Sequence, residues 1–91
     1  MVEVHYVYIV RCEDDTLYTG YTNDIERRIE EHNNGAGAKY TRGRAPVKLE
    51  YFEQYENKGA ALSREHEIKK LSRVKKVELI TTGGEDKQGL S

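Results

Sequence analysis

Cysteine, proline and long apolar runs are all scarce in this chain, and each scarcity excludes something. Cys12 is the single cysteine, so no internal disulfide and no cysteine-based zinc cluster can form, and it reads as a small core or turn residue. Pro46 is the single proline and closes a glycine- and cation-rich stretch, N-N-G-A-G-A-K-Y-T-R-G-R-A-P, that reads as a loop. No apolar run approaches the roughly 20 residues that cross a bilayer. The residues after Met1 lack a basic start followed by an apolar core. A soluble cytoplasmic protein with no membrane contact is expected. Internal repeats, a glycine-rich phosphate loop and a G-x-S-x-G elbow are also missing.

What is present is charge, tyrosine and β-branched residues. Ninety-one residues make one small domain near the size at which a single core is only just adequate. It is expected over 1–82, followed by a polar tail, 83–91, expected to be disordered. Seven tyrosines supply rings that pack while their hydroxyls stay wet. The net charge of -1 hides a pattern. Acidic residues dominate up to Glu31. In contrast, Lys39, Arg42, Arg44 and Lys48 form one acid-free segment, and Lys69, Lys70, Arg73, Lys75 and Lys76 form another. Such segments suit a polyanionic partner, or else are solvated faces that keep the protein soluble.

Val4–Cys12, V-H-Y-V-Y-I-V-R-C, reads as a strand with two apolar faces: Val4, Tyr6, Tyr8 and Val10 on one, His5, Val7, Ile9 and Arg11 on the other. Glu13-Asp14-Asp15 is a polar turn. Thr16–Tyr21 then forms the second strand of a hairpin, with Tyr18 and Gly20 facing the same way. Gly20 permits close approach to the sheet. Asn23, with Glu26 three residues later, predicts the start of a helix near Asp24. In that helix Ile25, Arg28, Ile29 and His32 share the inward stripe while Arg27 points away. Val47–Glu56 reads as a third strand with Val47, Leu49, Tyr51 and Tyr55 along one face. After Asn57–Gly59, a second helix is expected over Ala60–Leu71, with Glu65 among the apolar positions Ala61, Leu62 and Ile68. Ser72 caps a third helix running to Ile80.

Five residues thus carry polar chemistry on apolar faces: Tyr8, Tyr18, Arg28, His32 and Glu65. An inward arginine and an inward carboxylate each need a partner, and one solution is a buried ion pair between Arg28 and Glu65. The other is phosphodiester hydrolysis. Arginine holds the phosphate and stabilises the extra negative charge of the transition state, while one carboxylate anchors a hydrated divalent cation at the leaving oxygen. A tyrosine, of ordinary pKa about 10, either accepts the water's proton after its pKa is lowered or only orients the water.

At these residues the chain resembles the GIY-YIG nuclease domain, specifically the small stand-alone proteins of the YhbQ-like branch, over nearly its whole length. The first family tripeptide stands here as Tyr6-Val7-Tyr8 and the second as Tyr18-Thr19-Gly20. Arg28 follows in the helix with His32 one turn on, and Glu65 lies in R-E-H-E-I-K-K-L. The resemblance implies a single α+β domain, a three-stranded antiparallel sheet flanked by helices in the order β-β-α-β-α-α. It implies a DNA endonuclease, in repair, recombination or processing, that uses one Mg²⁺ or Mn²⁺ bound by Glu65. Arg28 would hold the phosphate, Tyr8 and Tyr18 would position or deprotonate water, and Tyr6 and Gly20 would be structural. Lys39, Tyr40, Arg42, Arg44, Lys69, Lys70 and Arg73 are the expected nucleic-acid contacts, with RNA open beside DNA and a protein partner supplying specificity. The alternative is a non-catalytic nucleic-acid binding module using the same surface. Two departures stand out: Tyr6 replaces the first tripeptide's glycine, and no asparagine follows Glu65, leaving Lys69 or Ser72 to fill its place.

Overall fold

The computed structural model describes residues 3–83; residues 1–2, residues 84–91 and the side chain of Tyr40 lie outside the described residues. The expectations of a disordered tail and of a stacking role for Tyr40 therefore fall outside them too. Strands β1 (His5–Arg11), β2 (Leu17–Thr22) and β3 (Lys48–Tyr55) and helices α1 (Ile25–Asn33), α2 (Lys58–Lys69) and α3 (Arg73–Thr82) follow one another in the order β-β-α-β-α-α. The sheet is antiparallel with strand order β2-β1-β3, so the strand richest in β-branched and aromatic residues is central.

Centrality explains why β1 is apolar on both faces. Tyr8 and Val10, with Cys12 and Val47, form a core beneath Ile25 and Ile29 of α1. On the other face Val7, Ile9 and Tyr51 pack with Ala61 and Ile68 of α2 and with Leu79 and Ile80 of α3. Because successive side chains of a strand point to opposite faces, β1 joins both layers.

The third strand departs from its expected single face. Ile9 pairs with Tyr51 but Val10 pairs with Leu49, so Glu50 is the extra residue of a β-bulge. The alternation reverses there: Val47 and Leu49 lie under α1, whereas Tyr51 and Tyr55 face α2 and α3. The extra Glu50 accepts a hydrogen bond from Arg11 Nε at 2.9 Å.

Helix ends moved by a residue or two for identifiable reasons. Thr22 Oγ1 accepts from the Asp24 N–H at 3.1 Å, so the chain turns one residue later than expected and Asp24, not Asn23, caps α1 through the Arg27 N–H at 3.2 Å. Asn57 caps α2 by accepting from the Ala60 N–H at 2.9 Å, which draws Lys58 and Gly59 into its first turn. Ser72 caps α3 as expected, and α3 runs on to Thr82, where Gly83 ends it with a left-handed backbone at φ 63°.

α2 also turns Arg64 toward the sheet. Its guanidinium grips Glu53 of β3 through Nε at 3.0 Å and Nη2 at 3.1 Å, and the same buried carboxylate accepts the hydroxyls of Tyr51 and Tyr55. Four donor groups on one carboxylate make a satisfied buried charge, and they fix the rotation of α2 against the sheet.

Candidate active site

β1 and β2 bring Tyr8 and Gly20 opposite each other, and α1 lies over them. The ring of Tyr8 passes so close over Gly20 that a Cβ there would stand 2.6 Å from Tyr8 Cζ, closer still to its hydroxyl oxygen, and 3.1 Å from Tyr18 Cε2. Gly20 is therefore needed for space. Its backbone is not in the left-handed region.

The Tyr8 hydroxyl ends between two residues of the inward stripe of α1. It lies 2.8 Å from His32 Nε2, and Arg28 Nε donates to it at 3.4 Å. The other imidazole nitrogen, Nδ1, is 2.7 Å from Thr41 Oγ1, and Thr41 donates its single proton to the Ala38 carbonyl at 2.9 Å. That last bond assigns the others. Thr41 has no proton left for His32, so Nδ1–H is the donor to Thr41 and Nε2 accepts from Tyr8 O–H. The result is a chain of donors running one way: Arg28, Tyr8, His32, Thr41, Ala38.

Electrostatics agree with this assignment. Burial lowers the His32 pKa, helped by the positive charge of Arg28, so the imidazole is neutral and free to accept. Burial pushes the Tyr8 phenol up to about 12, partly opposed by Arg28. The Tyr18 ring stands 5.6 Å from that of His32 and 6.4 Å from that of Tyr8, completing an aromatic wall.

Thr41 and Gly37 were not singled out from the sequence. Gly37 is buried, and a Cβ there would meet His32 Cα at 2.8 Å and Cγ at 2.9 Å. The glycine-rich loop thus folds back on His32, and its exposed Lys39 and Arg42 flank the anchored Thr41 at the rim of the site. A buried residue with basic neighbours in a glycine-rich loop is the only sequence signal for this anchor.

The two inward charges do not pair with each other. Arg28 Nη1 bonds Glu31 at 3.0 Å within α1, and Glu65 Oε2 meets Lys69 Nζ at 3.2 Å within α2. Arg27 is the exposed member of its pair, with 64% of its side chain accessible against 28% for Arg28. Glu65 acts electrostatically on Tyr8 from the α2 side. Of the two residues named for the missing asparagine, Ser72 caps α3 and Lys69 lies beside Glu65.

Two of the expected nucleic-acid contacts, Arg44 and Arg73, also bond the turn between β1 and β2. Arg44 is held by Asp14, and Arg73 donates to the Asp15 carbonyl at 2.8 Å and to its carboxylate at 3.2 Å. Both pin the β1–β2 turn. Lys39, Arg42 and Lys70 are exposed.

Comparison with known proteins matches residues 4–78 to the GIY-YIG catalytic domain. The chain belongs to the GIY-YIG family. A UPF0213 protein of Haloquadratum walsbyi is 61% identical over 83 residues, 91% of this chain and 93% of that protein. One of Clostridium perfringens is 62% identical over 79 residues, 87% of this chain and 85% of that protein. A solution NMR structure of a UPF0213 protein from Bacillus halodurans is similar at 50% identity, with a TM-score of 0.58 over 89% of this chain and 87% of that one. The GIY-YIG family is one of nucleases using divalent metal ions, and its two tripeptides here are the strand pair that carries Tyr8, Tyr18 and Gly20.

The donor set limits what kind of metal this GIY-YIG site can take. No group of three or more His, Cys, Asp and Glu able to hold an ion occurs among the described residues, so a closed zinc-type cage is excluded there. One carboxylate, Glu65, with 18% of its side chain accessible, fits a hard cation that keeps several waters and takes further oxygens from a phosphate. The hydroxyl of Thr19, buried without a partner on the face of β2 turned toward α2, is a ready hydrogen-bonding group for an ordered water.

Proposed function

We propose that this protein is a divalent-metal-dependent DNA endonuclease, acting in the cytoplasm in repair, recombination or processing, with Arg28, Tyr8, Tyr18, His32 and Glu65 as its catalytic residues. The observation that carries this reading is the one-way hydrogen-bond chain from Arg28 through Tyr8 to a neutral His32. A phenol held near pKa 12 is a poor base by itself at neutral pH. The chain removes that difficulty. As an attacking water gives its proton to Tyr8 Oη, the Tyr8 proton passes to His32 Nε2, so no phenolate accumulates and the charge ends on an imidazolium whose Nδ1–H is held by Thr41.

Arg28 has a second role in this scheme. Its Nε orients the Tyr8 oxygen while the rest of the guanidinium faces the phosphate and stabilises the charge that develops on it. Glu65 would hold one Mg²⁺ or Mn²⁺, which when bound supplies Lewis-acid stabilisation of the leaving oxygen. The domain is too small for extensive base readout, so a protein partner supplies specificity.

The test is cutting of single-stranded, duplex and branched DNA with Mg²⁺ or Mn²⁺. Arg28→Ala, prepared identically, should be slower by roughly 10²-fold or more. Glu65→Gln should lose the metal-stimulated activity. Equal cutting by Arg28→Ala, or full activity without divalent metal, would sink the reading. A second reading, a module that binds nucleic acid without cutting it, is favoured by the ammonium of Lys69 at 3.2 Å from Glu65 where a metal ligand is missing. Salt-sensitive binding with no turnover by the parent would select it.

A further inference from the structure

α2 packs on the face of the sheet over Val7, Ile9 and Tyr51, and two contacts show that it runs antiparallel to β2, the edge strand. At its start Lys58 Nζ stands 5.9 Å from the centre of the Tyr21 ring, and just beyond its end Arg73 grips Asp15 ahead of β2. Helical spacing puts Lys58, Leu62, Glu65 and Lys69 on one line along that edge. The line passes the strand that carries Tyr18 and Gly20. With about 1.5 Å of rise per residue it is roughly 16 Å long.

Two cations make no ion pair among the described residues, Lys58 at the start of this line and Lys76 of α3 beyond its end. Lys58 is exposed and lacks a carboxylate partner among the described residues, unlike Arg11, Arg44, Arg64 and Arg73. It occupies the first turn of α2, which contains no acid, where a positive charge opposes the helix dipole. Lys76, in the first turns of α3, is partly buried and makes no ion pair among the described residues, and burial together with the like charge of Lys69 lowers its pKa. Between the ends, Leu62 leaves 40% of its surface open to water. Cations without ion pairs beside an exposed leucine suit a strand whose phosphates and unstacked bases lie along the line.

We propose that this edge is a track for a single strand of nucleic acid, in which Lys58 and Lys76 hold phosphates on opposite sides of the one presented to Arg28 and Glu65, and Leu62 meets an unstacked base. The proposal rests on the nuclease reading for its centre and extends it to the strand form of the substrate. A stacked duplex would leave Leu62 without a partner, and a single line of charge follows one backbone.

The experiment is fluorescence anisotropy of a labelled oligonucleotide, single-stranded and annealed to its complement, across a salt series. The parent is compared with Lys58→Ala, Lys76→Ala and the control Lys48→Ala on the far strand. The parent should bind the single strand more tightly than the duplex. Each of the two track variants should lower the single-strand salt slope by about 0.7, and Lys48→Ala should leave it unchanged. Unchanged slopes in Lys58→Ala and Lys76→Ala, with parent binding intact, overturn the track while leaving the nuclease reading standing. Tighter duplex binding, with the slope lost there instead, overturns the single-strand assignment. Cutting that survives Arg28→Ala removes the nuclease reading and leaves the slopes to judge the track alone.

Discussion

Gly20→Ala isolates the steric role of the second tripeptide. The added Cβ would stand 2.6 Å from Tyr8 Cζ, whereas carbon atoms in contact settle near 3.5 Å or more, so the ring must retreat by about 1 Å. It cannot do so freely, because Tyr8 is wholly buried and its hydroxyl is held at 2.8 Å by His32 and at 3.4 Å by Arg28. A retreat of that size disturbs both bonds. Overpacking of a filled core typically costs about 1–3 kcal/mol, and each kcal/mol lowers Tm by about 4–8 °C in a domain of this size. A 1 Å misplacement of a catalytic group costs on the order of 10²-fold in rate. The assay is thermal unfolding beside metal-dependent cutting, with Ala61→Gly as a comparably destabilised variant remote from the phenol. Gly20→Ala should lose far more activity than Ala61→Gly at similar Tm. Full activity and an unchanged Tm in Gly20→Ala would refute the argument that this glycine exists to seat Tyr8.

Four further outcomes follow from the same geometry. Tyr8 is raised to about 12 in the folded protein, so its stabilising contribution is complete below pH 10 and is lost between about pH 10 and 12, up to about 2.7 kcal/mol. Tyr8→Phe should remove that share of the alkaline limb in pH-dependent melts, leaving the share of Tyr51, which burial and Glu53 also raise. The His32 pKa is lowered, so its contribution is complete above about pH 6.5 and is lost as pH falls from there through the folded value; His32→Gln should flatten this acid limb, and cutting by the parent should fall over the same range. Arg64→Met strips the guanidinium from buried Glu53 and should cost about 3–5 kcal/mol in a urea titration; a loss below about 0.5 kcal/mol would contradict the network. Lys69→Ala removes the ammonium that competes for Glu65, so half-saturating Mg²⁺ should drop by about two- to fivefold, as expected for a partly exposed ion pair of up to about 1 kcal/mol; a rise would show that Lys69 helps the metal.

Elements whose signals are local were legible in the chain. β1 announced two buried faces through its own residues, Ser72 was a cap on inspection, and the stripe of Ile25, Arg28, Ile29 and His32 selected Arg28 over Arg27. What stayed hidden depended on distant partners. The reversal at Glu50 follows from pairing with β1, since residues 47–51 alternate without interruption when read alone. Glu53 was visible between two tyrosines on one face, but its partner Arg64 required the rotation of α2. Thr41 and Gly37 meet His32 only because the loop folds back, which no periodicity encodes. Five residues were read as one constellation, and its connecting logic, the direction of the hydrogen bonds, came from Thr41.

The arrangement of charge is the deeper reason to expect an anionic ligand here. Had Arg28 and Glu65 paired, they would have neutralised each other and the cleft would be inert. Instead each is partnered within its own helix by a more exposed residue, Glu31 three positions after Arg28 and Lys69 four positions after Glu65. Such short-range surface pairs are worth little, about 0.2–1 kcal/mol, and are readily exchanged. A phosphate can replace Glu31 at Arg28, and a hydrated cation can replace Lys69 at Glu65. The displaced Lys69 then lies free beside Lys76 to meet the next phosphate. On this argument Glu31 and Lys69 are placeholders that keep the two inward charges solvated and oriented in the free protein, while the costly buried pairing is reserved for Glu53 and Arg64, where rigidity rather than exchange is required.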